Sequence, residues 1–433
     1  MIIIVSLVFL SMGTMSIAQN VLTLRDCITY AVTNSLDLGD YTLQLEDSNE
    51  DVRNERHNFL PSISMELNNS FSTGFQQVFT KDVAGTYQSV SSYNNAVTFY
   101  ISLPIWADSA QRTLIRLKRK SSDVIAQKKA DCEQSLKLDV IERFYALALA
   151  KLRQQQAEEQ LALQDSVLSV SQRMYEVGQR AYKDVVDAKY NLENDRQNLM
   201  GEEQNVLLAL RKLKRVMNYK VDMDIKIENE ANDTIMVLSF NELEQLAFQH
   251  SPSLCLAELQ IVNASLKKKT ISRQRYPSIT FNLQAGTSGQ QLFNFPNDKM
   301  TNQWHHNAYH VASLTLQIPI FNRLNVRSQL RKADIAVLRM QTALEKERTE
   351  LRHELQMLYQ DIQQCNRQIP QKECLEKLAR EQYNLAIKDY TRGNIPSYSL
   401  NAYKNKWMIA SLSLAQAYIE SRYKKQVLNV LIN

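Results

Sequence analysis

The chain has 433 residues, and its 51 Lys and Arg against 46 Asp and Glu leave a formal net charge of +5. This small excess argues against a dedicated nucleic-acid-binding surface. Only 9 Gly and 8 Pro occur in a sequence that is 44% hydrophobic and 22% charged, which excludes collagen-like and Pro-rich disordered classes and predicts long, uninterrupted helices.

The first segment, residues 1–18, is predicted to be a secretory signal peptide. Ile2 to Leu10 are nearly all apolar, and Ser16-Ile17-Ala18 forms a small-x-small cleavage site. The Lys or Arg that usually precedes the apolar run is missing. No later stretch reaches the ~18 consecutive apolar residues of a membrane helix. The sequence therefore predicts an exported protein that can enter a membrane only through strands.

Two copies of one unit follow, and three short motifs reveal them. Each motif recurs in the same order at an offset of 215 or 216 residues. We therefore predict repeat 1 over residues 19–220, a polar connector over 221–237 and repeat 2 over 238–433. The recurring pairs are residues 60–63 with 276–279, residues 103–106 with 318–321, and Tyr175-x-x-Gly178 with Tyr390-x-x-Gly393.

Each repeat is predicted to begin with a helix and to continue with a pair of strands, over residues 62–103 and 278–320. Apolar residues alternate there with Ser, Thr, Asn, Gln and Glu, and each strand is about ten residues long, which is the length that crosses a bilayer when tilted. The polar stretch 72–92 is expected to join the first two strands. The positions expected to face lipid are Ile63, Met65, Leu67, Val97, Phe99, Ile101, Phe281, Leu283, Leu314 and Leu316.

An ordinary half-buried antiparallel sheet also alternates, so other features must favour a membrane location. The polar face carries the hydroxyl and amide side chains of a water-filled lumen, and the neighbouring helices are far too long to cap a small sheet. Aromatic residues also cluster at the predicted strand ends, as they do in interface girdles. These residues are Phe71, Tyr93, Trp106, Tyr309 and Phe321.

A helical hairpin is predicted to close each repeat, over residues 106–217 and 321–433. No Gly or Pro interrupts Trp106 to Tyr175, a stretch of about 105 Å as a helix. Mostly apolar residues recur every seven positions in both copies, which indicates supercoiled packing. A shorter helix over 240–276 is expected to break or kink at Pro252.

The strand count has a consequence for assembly. Four strands cannot close a membrane barrel, since the smallest known type has eight and an open edge in lipid leaves backbone groups unpaired. If the strands lie in a membrane, two chains must supply eight strands or three chains twelve, and the helices would form a tube beneath them. The predicted fold class is thus mainly α, with a small membrane β part.

The chain also resembles the outer-membrane efflux protein family, or TolC family, over essentially all of its mature length. The resemblance rests on the duplication, the Pro-flanked strand pairs and Tyr175-x-x-Gly178-x5-Asp184-Val185-Val186-x-Ala188, which is similar to the family's Y-x-x-G-x5-D-V-L-x-A turn. It implies a homotrimer that shares one β-barrel above an α-helical barrel spanning the periplasm. It further implies a passive outer-membrane exit duct for efflux or type I secretion, joined to an inner-membrane transporter through a periplasmic adaptor.

The two Gly-containing turns are expected to lie together at the periplasmic tip and to contact this adaptor, with each Gly in the left-handed conformation that ends a helix. A plain helix end without a partner contact is the alternative. The residues assigned to docking are Tyr175, Gly178, Gln179, Tyr390, Gly393 and Asn394.

The resemblance also implies gating acids and tip-linking bonds in this region. Asp184 and Asp187 share one helical face, and a trimer would gather six such carboxylates, which we expect to bond to Arg180 or Arg392. The second copy lacks both acids, so the first-copy acids could instead bond across helices outside the pore. Acidic residues near a helix start are also favoured by the helix dipole alone.

Enzymatic function is not indicated. The sequence lacks G-x-G-x-x-G, G-x-x-x-x-G-K-[ST] and H-E-x-x-H. Its 5 Cys form no C-x-x-C pair and no zinc spacing, and they are expected to be small buried apolar residues. His305, His306 and His310 could bind a metal with weak specificity, but exposed polar residues are the simpler interpretation. We expect no cofactor and no resident metal.

A soluble periplasmic coiled-coil scaffold or adaptor is the second hypothesis. It explains the heptads equally well but gives the four strands no role. Alternation at all four strands, each at a Pro-marked junction, favours the channel because an adaptor needs no lipid-facing stripe.

Overall fold

The computed structural model describes residues 20–80, 83–106, 108–219, 225–227, 239–293, 298–321 and 323–432. The predicted signal peptide and most of the predicted connector lie outside these ranges. In chain order the elements are β1 (Asn20–Leu22), α1 (Leu24–Asn34), α2 (Leu36–His57), β2 (Ser62–Thr80), β3 (Val83–Trp106), α3 (Asp108–Glu176), α4 (Tyr182–Val216), β4 (Ile225–Ile227), α5 (Phe240–His250), α6 (Pro252–Arg273), β5 (Ser278–Leu292), α7 (Met300–His306), β6 (Tyr309–Gln317), α8 (Asn325–Thr391) and α9 (Ser397–Ile432).

Local sequence signals account for several helix boundaries. A capping box starts α1, where Thr23 pairs with Asp26, and α5 starts in the same way after Ser239. Pro252 begins α6, because a helix needs no N–H donor from its first residue, and the predicted break is thereby confirmed. α3 runs for 69 residues, as the absence of Gly and Pro predicts. None of the described helices is both long and apolar enough to cross a bilayer.

Four strands form one antiparallel sheet in the order β2–β3–β5–β6, which makes β2 and β6 its edge strands. β2 and β3 have 19 and 24 residues, so the predicted length of about ten residues was wrong for them. The described residues of 72–92 are not the expected loop, because the ladder continues to Val78 opposite Thr86. Ser, Thr, Val, Phe and Tyr dominate this stretch, and most of them favour strands.

The chain divides into two compact units. The first contains the described residues of 1–40, 129–252 and 348–433, and the second contains those of 41–128 and 253–347. In the first unit β1 pairs with β4 in parallel, while the second unit holds the four-stranded sheet. Each unit takes segments from both predicted repeats, and the division of the sequence into two repeats stays a prediction.

Buried apolar side chains join the helices of the first unit. One cluster forms between α1, α3 and α4 around Cys27 and Phe144. Another forms between α3, α8 and α9 around Val167 and Leu400. Leu400 and Leu428, two positions of the predicted heptads, are only 2% and 4% exposed. The seven-residue pattern therefore marks helix faces that pack against other helices.

The Cys residues do not all behave as the sequence suggested. All five are free thiols, and Cys27 and Cys365 are buried as expected. Cys255 and Cys374 are exposed, so the expectation was wrong for these two. Both lie on open faces of long helices, where the small size of Cys does not by itself direct it to a core.

Candidate functional site

The sheet of the second unit sorts its side chains by polarity. Residues opposite each other in an antiparallel ladder point to the same face. Ile101 lies opposite both Ile63 and Leu283, and Phe281 lies opposite Leu314. The register therefore places all ten predicted positions on one face, here called the apolar face. They are Ile63, Met65, Leu67, Val97, Phe99, Ile101, Phe281, Leu283, Leu314 and Leu316.

Much of the apolar face is open in the single chain. Ile63, Leu67 and Leu314 are 71%, 62% and 65% exposed. A continuous apolar surface of this kind marks a membrane or protein contact. Aromatic side chains extend it, since Phe71 lies opposite Tyr93 and Trp106 lies opposite Ile279.

The opposite face carries polar side chains that bond across the strands. Ser102 Oγ donates to Asn282 Oδ1 at 2.9 Å, and Gln284 Nε2 donates to Tyr309 Oη at 2.9 Å. Tyr309 was expected in an aromatic girdle, but its place opposite Gly286 puts it on this polar face. That earlier assignment was wrong because the parity of β6 fixes which of its side chains share a face with Leu314.

The two predicted turns have the same local structure. Gly178 has φ +73° and Gly393 has φ +81°, in the left-handed region that Gly adopts without strain. In the first turn Gln179 N donates to Met174 O and Gly178 N donates to Tyr175 O; the second turn repeats both bonds. This is the Schellman arrangement that ends a helix, so the conformation predicted for both Gly residues is confirmed.

Arg180 holds the two turns together within the first unit. Its Nη2 donates to Ile395 O at 2.6 Å and to Tyr390 O at 3.4 Å. Its guanidinium carbon lies 4.1 Å from the centre of the Tyr390 ring, and its Nη1 lies 3.6 Å from Asp184 Oδ2. The Arg180 side chain is only 7% exposed. We call Arg180, Asp184, Tyr390 and the Ile395 carbonyl the tip clasp.

The remaining predicted tip residues lie on the surface. Gln179, Asn394, Asp187 and Arg392 are exposed, so within the chain Arg180, and not Arg392, pairs with Asp184. Tyr175 is 45% exposed although its counterpart Tyr390 is 2% exposed. The sequence did not predict the role of Ile395, because its backbone carbonyl accepts the bond and no pattern of side chains could reveal this.

A buried polar cluster between α3, α4 and α9 was also missed. Lys404 Nζ donates to Gln164 Oε1 at 2.6 Å and to Asp195 Oδ2 at 3.2 Å. Gln160 Nε2 donates to Asp195 Oδ1 at 2.7 Å. The Lys404 and Asp195 side chains are 3% and 7% exposed. Burial lowers the pKa of Lys404, and Asp195 opposes this shift. The missed signal was Lys404 itself, a charge four positions after Leu400 on an apolar seam.

The weaker sequence candidates remain ordinary surface features. His305 and His306 meet edge to face with ring centres 5.7 Å apart, and both are exposed, as is His310. In the part of the chain that the structure describes, no three His, Cys, Asp or Glu side chains are grouped to hold a metal ion.

Comparison with known proteins agrees with this geometry. The sequence profile of a family described as Outer membrane efflux protein matches residues 28–219 and 243–419. No curated protein matches the chain. Among solved structures, the outer-membrane channel OprN has a TM-score of 0.79 at 14% identity and covers 94% of this chain and 89% of its own.

Two further solved structures are similar. The outer membrane protein VceC of Vibrio cholerae has a TM-score of 0.74 at 14% identity over 94% of both chains. The CmeC outer membrane channel of Campylobacter jejuni has a TM-score of 0.75 at 14% identity over 94% of this chain and 84% of its own. At such identity the likeness shows the fold, and the predicted class, mainly α with a small β part, is confirmed.

Proposed function

Because the chain belongs to the outer membrane efflux protein family, we propose that it is the exit duct of a tripartite efflux or type I secretion system. Members of this family are outer-membrane channels with a periplasmic helical extension, and not enzymes. The duct is a passive homotrimer, and an inner-membrane transporter drives export through a periplasmic adaptor. The family assignment also favours the channel over a soluble periplasmic scaffold.

The apolar face of the sheet is the observation that carries the proposal. Its described residues include no Asp, Glu, Lys or Arg, whereas the opposite face carries Glu66 and a network of hydroxyl and amide groups. In a membrane barrel the apolar face meets lipid and the polar face lines water. In a water-soluble sheet the same face would have to be covered by a core.

The edge strands support the trimer. β2 and β6 are the edges of the sheet, and in lipid their outer backbone groups need partners. Another copy of the chain supplies them when its β6 pairs with β2. Four strands from each of three chains then close a barrel of the size that the family resemblance implies.

Oligomeric state is the first test. Native mass spectrometry of the chain in detergent is expected to show trimers and no stable folded monomer. A matched pair of variants separates assembly from folding. Leu314→Lys on the apolar face should lower the trimer yield, whereas Thr315→Lys, the next residue on the exposed polar face, should not. A folded monomer that stays monomeric in detergent would contradict the proposal.

The paired turns are the proposed adaptor-docking end. Gln179 and Asn394 stand next to the two left-handed Gly residues and are exposed, so a partner can reach them. Tyr175 is half-exposed beside them and packs against Tyr182 with ring centres 5.5 Å apart. Gln179 precedes Arg180 in sequence and Asn394 precedes Ile395, so the tip clasp is expected to hold the two exposed turns side by side.

Docking can be tested without disturbing the fold. Gln179→Arg and Asn394→Arg should reduce pump-dependent resistance while the amount of trimer is unchanged. Gln155→Arg, at an exposed site on α3, is the matched control and should leave resistance intact. Full resistance in both turn variants would show that the turns only end helices.

We also propose that the tip clasp holds the closed state of the duct. Asp184, in the same hairpin as Arg180, lies beside the guanidinium and orients it. Arg180 ties the first turn to the second through two backbone carbonyls and the Tyr390 ring. Separation of the turns would have to break these contacts together. Asp187 is exposed on the same helical face as Asp184 and is proposed to attract cations at the narrow end.

Single-channel recording in planar bilayers tests this gate. Arg180→Ala and Asp184→Ala should raise the conductance, whereas Asp187→Ala should weaken cation preference and leave the closed state intact. Unchanged conductance and selectivity in all three variants would reduce these residues to helix-terminal structure.

A further inference from the structure

The short helix α7 lies against the apolar face of the sheet, above its most apolar rows. A Cβ atom built on Gly289 would lie 2.3 Å from Met300 Sδ and 3.0 Å from Trp304 Cδ1. Gly289 shares its face with Ala285, Phe99 and the other odd-numbered positions of β5. The helix therefore needs a residue without a side chain at this position, and it covers the outer side of the sheet.

Hydrogen bonds fix α7 in this place. Trp304 Nε1 donates to Asn95 Oδ1 at 2.9 Å, and Thr287 Oγ1 donates to Trp304 O at 2.6 Å. Gln303 replaces a strand at the free edge of β5, since it accepts from Gln290 N at 2.7 Å and donates to Gln290 O at 2.9 Å. β6 pairs with β5 only as far as Gly286, so the edge of β5 beyond Gly286 is open to α7.

The row of the sheet beneath Trp304 is the row where the apolar face becomes polar. Asn69, Asn95 and Gly289 lie opposite one another in β2, β3 and β5. Below this row the same face carries Leu67 and Val97. Above it the face carries aromatic side chains with polar groups between them, and Phe71 packs against Phe293 with ring centres 5.9 Å apart.

The distance to the other end of the face fits a bilayer. Trp106 also lies on the apolar face, opposite Ile279. From Asn95 to Trp106 the strand covers roughly 36 Å at about 3.3 Å per residue. A tilt of about 40° leaves roughly 28 Å along the membrane normal, close to the ~30 Å thickness of the hydrocarbon core. Trp304 and Trp106 therefore bracket a band of membrane thickness.

We infer that α7 is a lipid anchor that binds the headgroup layer of the outer leaflet, with Trp304 at the membrane–water interface. The inference rests on the proposed membrane location of the sheet. Trp prefers this layer because its ring is apolar and its N–H is polar. Lys299, His305 and His306 are exposed around it, and their N–H groups suit the phosphates of lipid headgroups.

The position of α7 favours lipid over a second copy of the chain. Met300 and Trp304 lie over the apolar face of β5 and β3, and Gln303 already occupies the edge of β5 beyond Gly286. Another copy would instead join at the edge strands β2 and β6. A purely structural role, in which α7 only covers the free edge of β5, is an outcome that the test must be able to reveal.

Depth-dependent fluorescence quenching provides the test. Single-Trp variants are made by Trp→Phe changes at two of the three Trp residues, and each trimer is placed in phosphatidylcholine vesicles. One vesicle set carries a nitroxide on the headgroup and the other carries it in mid-chain. Trp304 is expected to lose the larger share of its fluorescence to the headgroup label. Trp106 should be quenched in both sets as the opposite rim, and Trp407 in α9 should be quenched in neither.

The outcomes separate the two claims. Quenching of Trp106 without quenching of Trp304 would refute the anchor and leave the membrane sheet standing. Absence of quenching at both residues would refute the membrane sheet as well. Stronger quenching of Trp304 by the mid-chain label would place α7 too deep for headgroup contact and overturn the inference. If a double variant does not assemble, the difference between wild type and Trp304→Phe gives the same information.

Discussion

The sheet of the second unit and the helices of the first unit use apolar side chains in opposite ways. In the sheet, Ile63 and Leu314 point outward and are 71% and 65% exposed. Between the helices, Leu400 is 2% exposed and the charged pair of Lys404 and Asp195 is buried beside it. The proposed location of the sheet in a membrane accounts for the difference, because an apolar surface is stable against lipid, whereas in water apolar side chains are buried in the interior.

The two Gly-containing turns of the first unit provide a second comparison. Gly178 and Gly393 have the same left-handed conformation and the same pair of backbone bonds. Tyr390 is nevertheless buried and shares a 2.7 Å hydrogen bond with Ser171, while Tyr175 is 45% exposed. Equivalent motifs thus produce equivalent local structure, but the surrounding helices decide which copy is a core residue and which is a surface residue.

The largest effect is expected from the buried pair of the first unit. Asp195→Ala leaves the Lys404 charge, which is 3% exposed, without its carboxylate partner and with only the Gln164 amide to bond to, so we expect a loss of about 3–5 kcal/mol of unfolding free energy. Thermal unfolding of the trimer in detergent measures it. The double variant Lys404→Met with Asp195→Leu should recover most of the loss, because an apolar pair needs no desolvated charge. Equal loss in both variants would contradict this.

The same pair predicts a direction of pH dependence. Because burial lowers the pKa of Lys404 below its usual 10.5 despite the opposing effect of Asp195, the unfolded chain binds this proton more readily than the folded chain. The loss of unfolding free energy caused by burying the charged Lys404 is fully present below the pKa of the folded state. It disappears as the pH rises through that pKa towards 10.5. Asp195→Asn should therefore regain stability relative to wild type as the pH is raised, and a constant difference would contradict the assignment.

The next largest effect concerns the apolar face of the sheet. Leu314→Lys places a charge on this face and should cost about 2–4 kcal/mol of assembly free energy if the residue lies near the bilayer centre. Thr315→Lys is the matched control on the exposed polar face. Thr98, also on the polar face, would be a poorer control, since it is 6% exposed and its Oγ1 lies 3.4 Å from Tyr309 Oη. Heat-stable trimer on gels measures both variants.

A smaller effect is expected at the turns. Gly178→Ala and Gly393→Ala force a Cβ into a left-handed conformation, at a cost of about 1–2 kcal/mol each, although no heavy atom lies within 4 Å of either added Cβ. Gly39→Ala, in the helix α2 and equally uncrowded, should instead gain about 0.5–1 kcal/mol. The unfolding midpoints of the three variants test this contrast. A loss of stability in Gly39→Ala would contradict it.

The last prediction concerns the reactivity of two Cys thiols and involves no change of stability. Burial, with a smaller contribution from Asp26, raises the pKa of Cys27 to about 12, so this thiol should resist alkylation at neutral pH. Cys374 is exposed and should react with a maleimide in the folded protein. Mass spectrometry after limited labelling measures both. Rapid labelling of Cys27 before unfolding would contradict the burial of this α1 residue.

The sequence could predict those features that follow from a short repeat. Period-two alternation placed Ile63 and Phe99 on one face because the face of a strand residue depends on parity alone. Gly178 and Gly393 could be assigned because only Gly enters the left-handed region cheaply. The full length of β2 was missed because its upper part carries polar residues that also occur in loops.

Other features depend on contacts that no local pattern contains. Arg180 reaches Ile395 O across 215 positions of sequence, so only the packed hairpins reveal the clasp. The helix α7 has 7 residues, too few for an amphipathic period to show, and Trp304 was therefore overlooked as a girdle residue. Lys404 could have been recognised as a charge within an apolar seam. Nothing in the sequence, however, identifies Asp195 on another helix as its partner.

Thiol accessibility along β2 tests the central claim most directly. Single Cys residues replace Ile63, Ser64, Met65, Glu66, Leu67 and Asn68 in a chain whose native Cys are changed to Ser, and the trimer is placed in lipid vesicles. A charged, water-soluble maleimide should label positions 64, 66 and 68 and spare positions 63, 65 and 67, because lipid is expected to cover them. Equal labelling of both sets in lipid would show that the apolar face meets water, and the channel account of this sheet would then be wrong.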